Sequence, residues 1–219
     1  MGRTILITGA NRGLGYELAR QMSESATVIG TARNPSDAQK LRELKNVHIV
    51  GMDVASEGSI KSALEEIKKH APNGIDELWN NAGRNGVKGP ITEEIDTKEW
   101  LAEFQTNVVG PSIVTRLALP LLRKAQNAKV IFMSSGCGSV TERAGDDTMP
   151  VYSASKAALD MTVKYWYTAL KKEGIAVTAM DPGWYEKRTS ATPAHKLTQK
   201  IGSLLTWEGL KLNSPLKFR

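Results

Sequence analysis

Six short apolar runs, near residues 3–8, 26–31, 47–50, 75–80, 129–134 and 175–180, recur along the chain with helical patterns between them. The first, Arg3-Thr-Ile-Leu-Ile-Thr8, is rich in β-branched residues and lacks polar alternation, as expected of a parallel strand buried on both faces. Strands that alternate with helices build βαβ units, and right-handed crossovers wind such units into an α/β, doubly wound parallel sheet. In that architecture ligands gather at the carboxyl ends of the strands, around the switch in strand order. With 219 residues and 41% hydrophobic content the chain can bury one substantial core, so a single domain is expected. Residues 136–149, rich in Gly, Asp and Thr, read as one long loop at a strand end.

The first strand runs directly into Thr8-Gly-Ala-Asn-Arg-Gly-Leu-Gly15 and then into the helical stretch Tyr16–Met22. Strand, glycine turn and helix in this order are what a dinucleotide site needs. Gly9 permits the tight turn, and Gly13 and Gly15, lacking side chains, let a pyrophosphate approach the backbone at the positive end of the helix. The spacing is GxxxGxG, so Asn11, Arg12 and Leu14 fill the intervening positions.

A second constellation lies in Val151-Tyr-Ser-Ala-Ser-Lys-Ala-Ala-Leu159, where Tyr152 and Lys156 stand four apart at the start of an amphipathic helix and so share a face. A phenol has a pKa of about 10. An ammonium roughly 6 Å away at an effective dielectric near 20 favours the phenolate by about 3 kcal/mol, which would bring Tyr152 into the range of general acid-base catalysis.

Thr8 to Gly15, Asn80-Asn-Ala-Gly83 and Tyr152 to Lys156 appear in the order and at the separations of the TGxxxGxG, NNAG and YxxxK motifs. The chain therefore resembles the short-chain dehydrogenase/reductase family over residues 3–183, and a Rossmann fold follows from that resemblance. Ser134-Ser135 with Gly138-Ser139, Asn107 to Pro111 and Asp181-Pro-Gly-Trp184 resemble most the sniffer and C-factor branch of carbonyl reductases. By this resemblance residues 1–183 form the dinucleotide-binding and catalytic body. Residues 184–219 are an atypical basic segment of the same domain, a substrate lid or a tail.

The resemblance implies hydride transfer between a nicotinamide cofactor and a carbonyl, and the end of the second strand points to NADP(H) as that cofactor. The second strand ends in Arg33 rather than in the carboxylate that would hold a free ribose 2′-hydroxyl, so Arg33, with Arg12 in the glycine turn, is expected to fork onto a 2′-phosphate. Asp53 and Val54 would hold the adenine, although a helix cap is a rival role for Asp53. Asn81, Ala82, Gly83, Pro182 and Gly183 would line the cofactor. Tyr152 would protonate the carbonyl oxygen, Ser135 would hold that oxygen, and Lys156 would lower the tyrosine pKa and bind the nicotinamide ribose. Asn107, in the helical stretch 98–109, would relay the proton through water. Motif alignment selects Ser135, whereas counting back about thirteen residues from Tyr152, as the family spacing does, lands on Ser139.

Lys and Arg outnumber Asp and Glu by 29 to 23, yet residues 182–219 hold seven basic residues against Glu186 and Glu208, which accounts for +5 of the net +6. The body is nearly neutral and has no aromatic-basic motif, so nucleic acid is not an expected partner. No apolar run reaches the roughly 20 residues of a membrane span. A single cysteine, Cys137, fits a reducing compartment, and a cytoplasmic location is expected. His48, His70 and His195 lack metal-ligand spacing, so no metal is expected. The partner is then a small-molecule carbonyl substrate, and the protein a monomer or a homodimer through helices near 98–124 and 153–172. After Trp184, Tyr185 to Arg188 precede Thr189, a departure from the family pattern, and one short helix around 197–205 replaces the usual last helix and strand, leaving the sheet edge incomplete. A protein of this fold that binds cofactor without turnover is the second functional class.

Overall fold

The computed structural model describes residues 2–141 and 148–183 and the backbone of Leu204–Leu205. Six parallel strands, β1 (Arg3–Ile7), β2 (Ala26–Ala32), β3 (Val47–Gly51), β4 (Glu77–Asn80), β5 (Lys129–Met133) and β6 (Ala176–Met180), form one sheet in the order β3-β2-β1-β4-β5-β6. The order reverses between β1 and β4, which pair with Ile5 opposite Glu77 and Ile7 opposite Trp79. This is the expected doubly wound Rossmann-like arrangement, and its switch point lies between the glycine turn and the Asn80–Gly83 segment.

The helices are α1 (Gly13–Met22), the short α2 (Gln39–Arg42), α3 (Glu57–His70), α4 (Thr97–Phe104), α5 (Gly110–Leu122) and α6 (Pro150–Leu170). Because side chains alternate across a strand, each β-strand feeds both faces of the sheet. Leu6, Leu78, Val130 and Phe132 pack beneath α3, α5 and α6, against Ile60, Leu64, Val114, Leu122 and Leu159. Ile5, Ile7, Val28, Trp79 and Ile131 face the other way, toward Leu18, Ala19 and Met22 of α1 and Leu41 of α2. Burial on both sides is why these strands read as unbroken apolar runs.

The strand expected from residue 75 begins at Glu77, because the backbone N–H groups of Ile75 and Asp76 go to Leu121 and Thr4 before the ladder with β5 starts. Within the helical stretch expected over 98–109, Gln105–Val109 winds as a π-helical turn between α4 and α5. At the sheet edge β7 (Leu204–Leu205) runs antiparallel to β6, with Leu205 opposite Ala179 and Leu204 opposite Met180. The end of the helix expected around 197–205 is thus extended backbone that adds a short edge strand. The remainder of that expected helix, and the departures at Tyr185 to Thr189, lie outside the described residues.

Candidate active site

The motifs converge above the carboxyl ends of β1, β4, β5 and β6. Asn81 latches the glycine turn to β4. Its amide donates to the carbonyls of Thr8 (2.9 Å) and Gly9 (3.2 Å), while Thr8 Oγ1 accepts from the backbone N–H of Asn81 and of Ala82, each at 3.0 Å. Gly9 and Gly13 have φ of +66° and +59°, a conformation that favours glycine. A Cβ built on Gly13 would meet nothing within 4 Å, so that side of the turn is open at the start of α1, whereas Gly15 is buried against the Gly9 carbonyl and Asn81. This cradle fits a pyrophosphate at a helix N-terminus. Asn11 and Leu14 flank it half-buried, and Arg12 and, after β2, Arg33 are exposed.

Asp53 follows β3. Its N–H donates to Ser59 Oγ at 2.9 Å and its Oδ1 accepts from Ala55 N at 3.0 Å, while Val54 is buried. The capping role that rivals adenine binding at Asp53 belongs to Ser56, whose hydroxyl accepts from Ser59 N. Pro182 and Gly183 leave the end of β6, where Gly183 N donates to Asp181 Oδ1 at 2.9 Å.

Tyr152 and Lys156 lie one turn apart in α6. Lys156 is buried, at 4% exposure, with its Nζ 5.5 Å from the centre of the Tyr152 ring. The ammonium donates to the Met133 carbonyl oxygen at 2.6 Å, so it lies over the ring and is held by the end of β5. Burial pulls the Lys156 pKa down to about 8, against the carboxylate of Asp160 and the charges of Cys137 and Glu103, which favour the ammonium. Burial also pushes the Tyr152 phenol above its ordinary value. A hydrogen bond with Ser135 opposes this, and Cys137, Asp181 and Glu103 add to it. The Tyr152 pKa is therefore shifted opposite to the expected direction, because burial strips water from the phenol while the Lys156 ammonium is turned to a backbone carbonyl.

Ser135 sits at the start of the 3₁₀ turn Gly136–Gly138. Its hydroxyl accepts from Cys137 N at 3.2 Å and lies near enough to the Tyr152 phenol to favour its ionisation. Ser139 lies past the same turn, 3.5 Å from Thr141 Oγ1. Gly138 lets this turn lie directly on α6, since a Cβ there would come within 2.9 Å of the Ala157 nitrogen and the Lys156 carbonyl carbon.

Asn107, at 1% exposure, projects from the π turn. Its Oδ1 accepts from Arg84 N at 2.8 Å, and its Nδ2 donates to the Arg84 carbonyl at 2.9 Å and to Ser155 Oγ at 3.0 Å. A Cβ on Gly83 would lie 3.4 Å from Asn107 Oδ1 and 4.0 Å from Lys156 Nζ, which places the end of the Asn80–Gly83 segment between the two side chains. π turns leave the regular i→i−4 ladder, and they occur often at functional sites.

Three contributors carried no sequence signal. Glu103, fully buried one turn before Asn107, accepts from the N–H groups of Gly86 (3.1 Å) and Val87 (3.4 Å), so consecutive turns of the helix clamp residues 84–87. Its Oε1 is buried with no hydrogen-bond partner in the structure. The clamped loop then meets the approach to α6, with Gly89 N donating to the Thr148 carbonyl and Asn85 Nδ2 to Met149 Sδ. Ser134 and Asp160 form the third feature, joined by a 2.6 Å bond from Ser134 Oγ to Asp160 Oδ1. Sequence spacing cannot announce such partners, since they are brought together by tertiary packing. Among the described residues no group of three or more His, Cys, Asp and Glu side chains is placed to hold a metal ion, and no helix is long and apolar enough to cross a membrane.

Residues 3–198 match the short chain dehydrogenase family. An uncharacterized oxidoreductase of Schizosaccharomyces pombe is 34% identical over 211 residues, covering 94% of this chain and 82% of that protein. Among solved structures, the carbonyl reductase of chicken fatty liver with NADPH bound is similar with a TM-score of 0.77 at 30% identity, covering 84% of this chain and 80% of that one. The carbonyl reductase Sniffer of Drosophila melanogaster is similar with a TM-score of 0.77 at 31% identity, covering 84% and 82%.

Proposed function

Since the chain belongs to the short-chain dehydrogenase family of oxidoreductases, whose members bind a nicotinamide cofactor, we propose that it reduces an aldehyde, ketone or quinone carbonyl to an alcohol at the expense of NADPH, with Tyr152 as general acid. The observation that carries this reading is the placement of Tyr152 one turn before buried Lys156 in α6, with the Ser135 hydroxyl near enough to favour the phenolate and Gly83, at the end of the Asn80–Gly83 segment, beside the Lys156 ammonium. Two hydroxyls at one place can hold a carbonyl oxygen and supply it with a proton. NADPH, when bound, supplies the hydride to the carbonyl carbon.

Gly9, Asn11, Arg12, Gly13, Leu14 and Gly15 form the cradle for its pyrophosphate. Asp53 and Val54 form the adenine end, and Asn81, Ala82, Gly83, Pro182 and Gly183 line the nicotinamide end. Ser135 orients the carbonyl oxygen, and Tyr152 gives it the proton that balances the incoming hydride. A raised phenol pKa keeps Tyr152 in its protonated, donor form through neutral pH, while Lys156, once turned from the Met133 carbonyl toward the cofactor ribose, strengthens the acid as the proton leaves. Asn107 holds the segment next to Lys156 and completes the route by which solvent returns the proton.

The charge on Lys156 sets the alkaline limit. Its pKa is lowered to about 8, so the ammonium is present below that pH and lost above it. Carbonyl reduction is expected to decline above about pH 8, as read from the pH dependence of kcat/KM. An unchanged rate to pH 10 would rule out a required ammonium that titrates near 8.

Cofactor preference rests on Arg33 and Arg12, exposed beside the cradle, and on the NADPH bound by the similar chicken carbonyl reductase. Arg33→Ala is expected to raise KM for NADPH about 10- to 100-fold, the worth of hydrogen bonds to a charged group, and to leave KM for NADH nearly unchanged. An equal effect on both cofactors would place the 2′ position elsewhere. The reading as a whole is tested by NADPH oxidation against a panel of aldehydes, ketones and quinones, together with a melting shift on NADPH addition. A melting shift without oxidation of NADPH by any of these would mark a cofactor-binding protein that lacks turnover.

A further inference from the structure

Lys156 and Asp160 occupy successive turns on one face of α6, and the end of β5 grips both through adjacent residues. The Met133 carbonyl accepts from the Lys156 ammonium at 2.6 Å, and the Ser134 hydroxyl donates to Asp160 Oδ1 at 2.6 Å. Ser134 is itself buried and anchored, its N–H donating to the Met180 carbonyl of β6 at 2.8 Å. The partly buried Asp160 carboxylate is thus tied to a strand end next to the residue whose carbonyl holds the Lys156 ammonium. An aspartate on a helix would ordinarily turn outward, and the Ser134 bond holds this one against the sheet.

We propose that Asp160, held by Ser134, is a positioning residue that keeps Lys156 charged and in place for catalysis. The proposal rests on the reading that turnover requires the ammonium. The other ionisable groups felt by Lys156 are Cys137 on the turn after β5 and Glu103 on α4, with the Tyr152 ring beneath the ammonium on its own helix. Asp160 in turn faces Asp181 beyond β6, whose charge opposes its ionisation, while Lys156 and the Ser134 hydrogen bond favour it. Among the groups that favour the Lys156 ammonium, Asp160 has the largest influence. Cys137 and Glu103 keep their places when Asp160 is neutralised, so they leave a background that does not depend on it.

Asp160→Asn tests this, because the amide oxygen can still accept from Ser134 while the charge is gone. In the full chain without cofactor, labelled with 13C at lysine Cε, the Lys156 resonance is assigned by its disappearance in Lys156→Arg and titrated by NMR. The Lys156 midpoint is expected to move down by about one pH unit in Asp160→Asn, to return most of the way in Asp160→Glu, and to move by a smaller step in Ser134→Ala. The alkaline limb of kcat/KM should move by the same amount as the midpoint. A Lys156 midpoint unmoved in Asp160→Asn overturns the proposal, as does an unmoved midpoint in Ser134→Ala should Asp160→Asn fail to fold. The titration needs no turnover, so absence of carbonyl reduction in the wild-type protein would defeat the proposed activity while the midpoint still decides the role of Asp160.

Discussion

Tyr152→Phe is expected to leave the fold and NADPH binding intact and to lower kcat by about 10²- to 10⁴-fold, the usual contribution of a positioned general acid. The ring stays in α6 beneath Lys156, so packing is conserved. What is lost from the free protein is one half-buried hydroxyl near Ser135, worth about 1 kcal/mol or less. Stability and catalysis should therefore separate cleanly. Melting temperature and NADPH titration measure the first, and single-turnover oxidation of NADPH measures the second. Ser135→Ala should reduce kcat as well while sparing the proton donor, and a rate for Tyr152→Phe within a few-fold of wild type would remove Tyr152 from the chemistry.

The second large effect is expected at Gly15. A Cβ there would run into the Gly9 carbonyl oxygen and come within 2.5 Å of Asn81 Nδ2. Both are fixed, because the same Asn81 amide bonds the Thr8 and Gly9 carbonyls. Gly15→Ala must push α1 off β1 and break the latch between β1 and β4, at a cost of about 3 kcal/mol, the upper end of overpacking in a close-packed core. A loss of that size lowers Tm by about 6–12 °C in a chain of this length, and NADPH binding should be lost with it. Gly13→Ala provides the contrast. A Cβ at Gly13 meets nothing within 4 Å, so its penalty is the left-handed φ of +59°, about 1 kcal/mol, together with a methyl group in the cradle. Gly13→Ala should weaken NADPH binding with a small change in Tm, and equal Tm losses in the two variants would contradict this packing account.

The strands were legible because burial on both faces leaves a local trace: Ile5 and Ile7 pack toward α1 while Leu6 packs beneath α5 and α6, so polar residues are excluded from the whole run. The glycine turn and the Tyr152–Lys156 pair were legible for the same reason, since tight turns and helical faces are properties of neighbouring residues. The protonation behaviour of that pair was not. Spacing gives the distance between phenol and ammonium but not how much water each keeps, and it is desolvation that raises Tyr152 and lowers Lys156. Asn107 could be placed on a helix from its surroundings, yet the π turn that carries it has no such local trace, nor has the approach of the Val54 carbonyl that leaves no room for a Cβ on the following Gly110. Glu103 and Asp160 read as ordinary polar helix residues. Their partners, the N–H groups of Gly86 and Val87 and the hydroxyl of Ser134, lie 17, 16 and 26 positions away.

A crystal structure of the protein with NADP⁺ and an unreactive carbonyl or alcohol ligand tests the central claim most directly. The account predicts that the hydroxyls of Tyr152 and Ser135 both lie within about 2.5–3.0 Å of the ligand oxygen, with Lys156 turned from the Met133 carbonyl to the nicotinamide ribose. A complex in which the Tyr152 hydroxyl points away from the nicotinamide and bonds no ligand oxygen would contradict it.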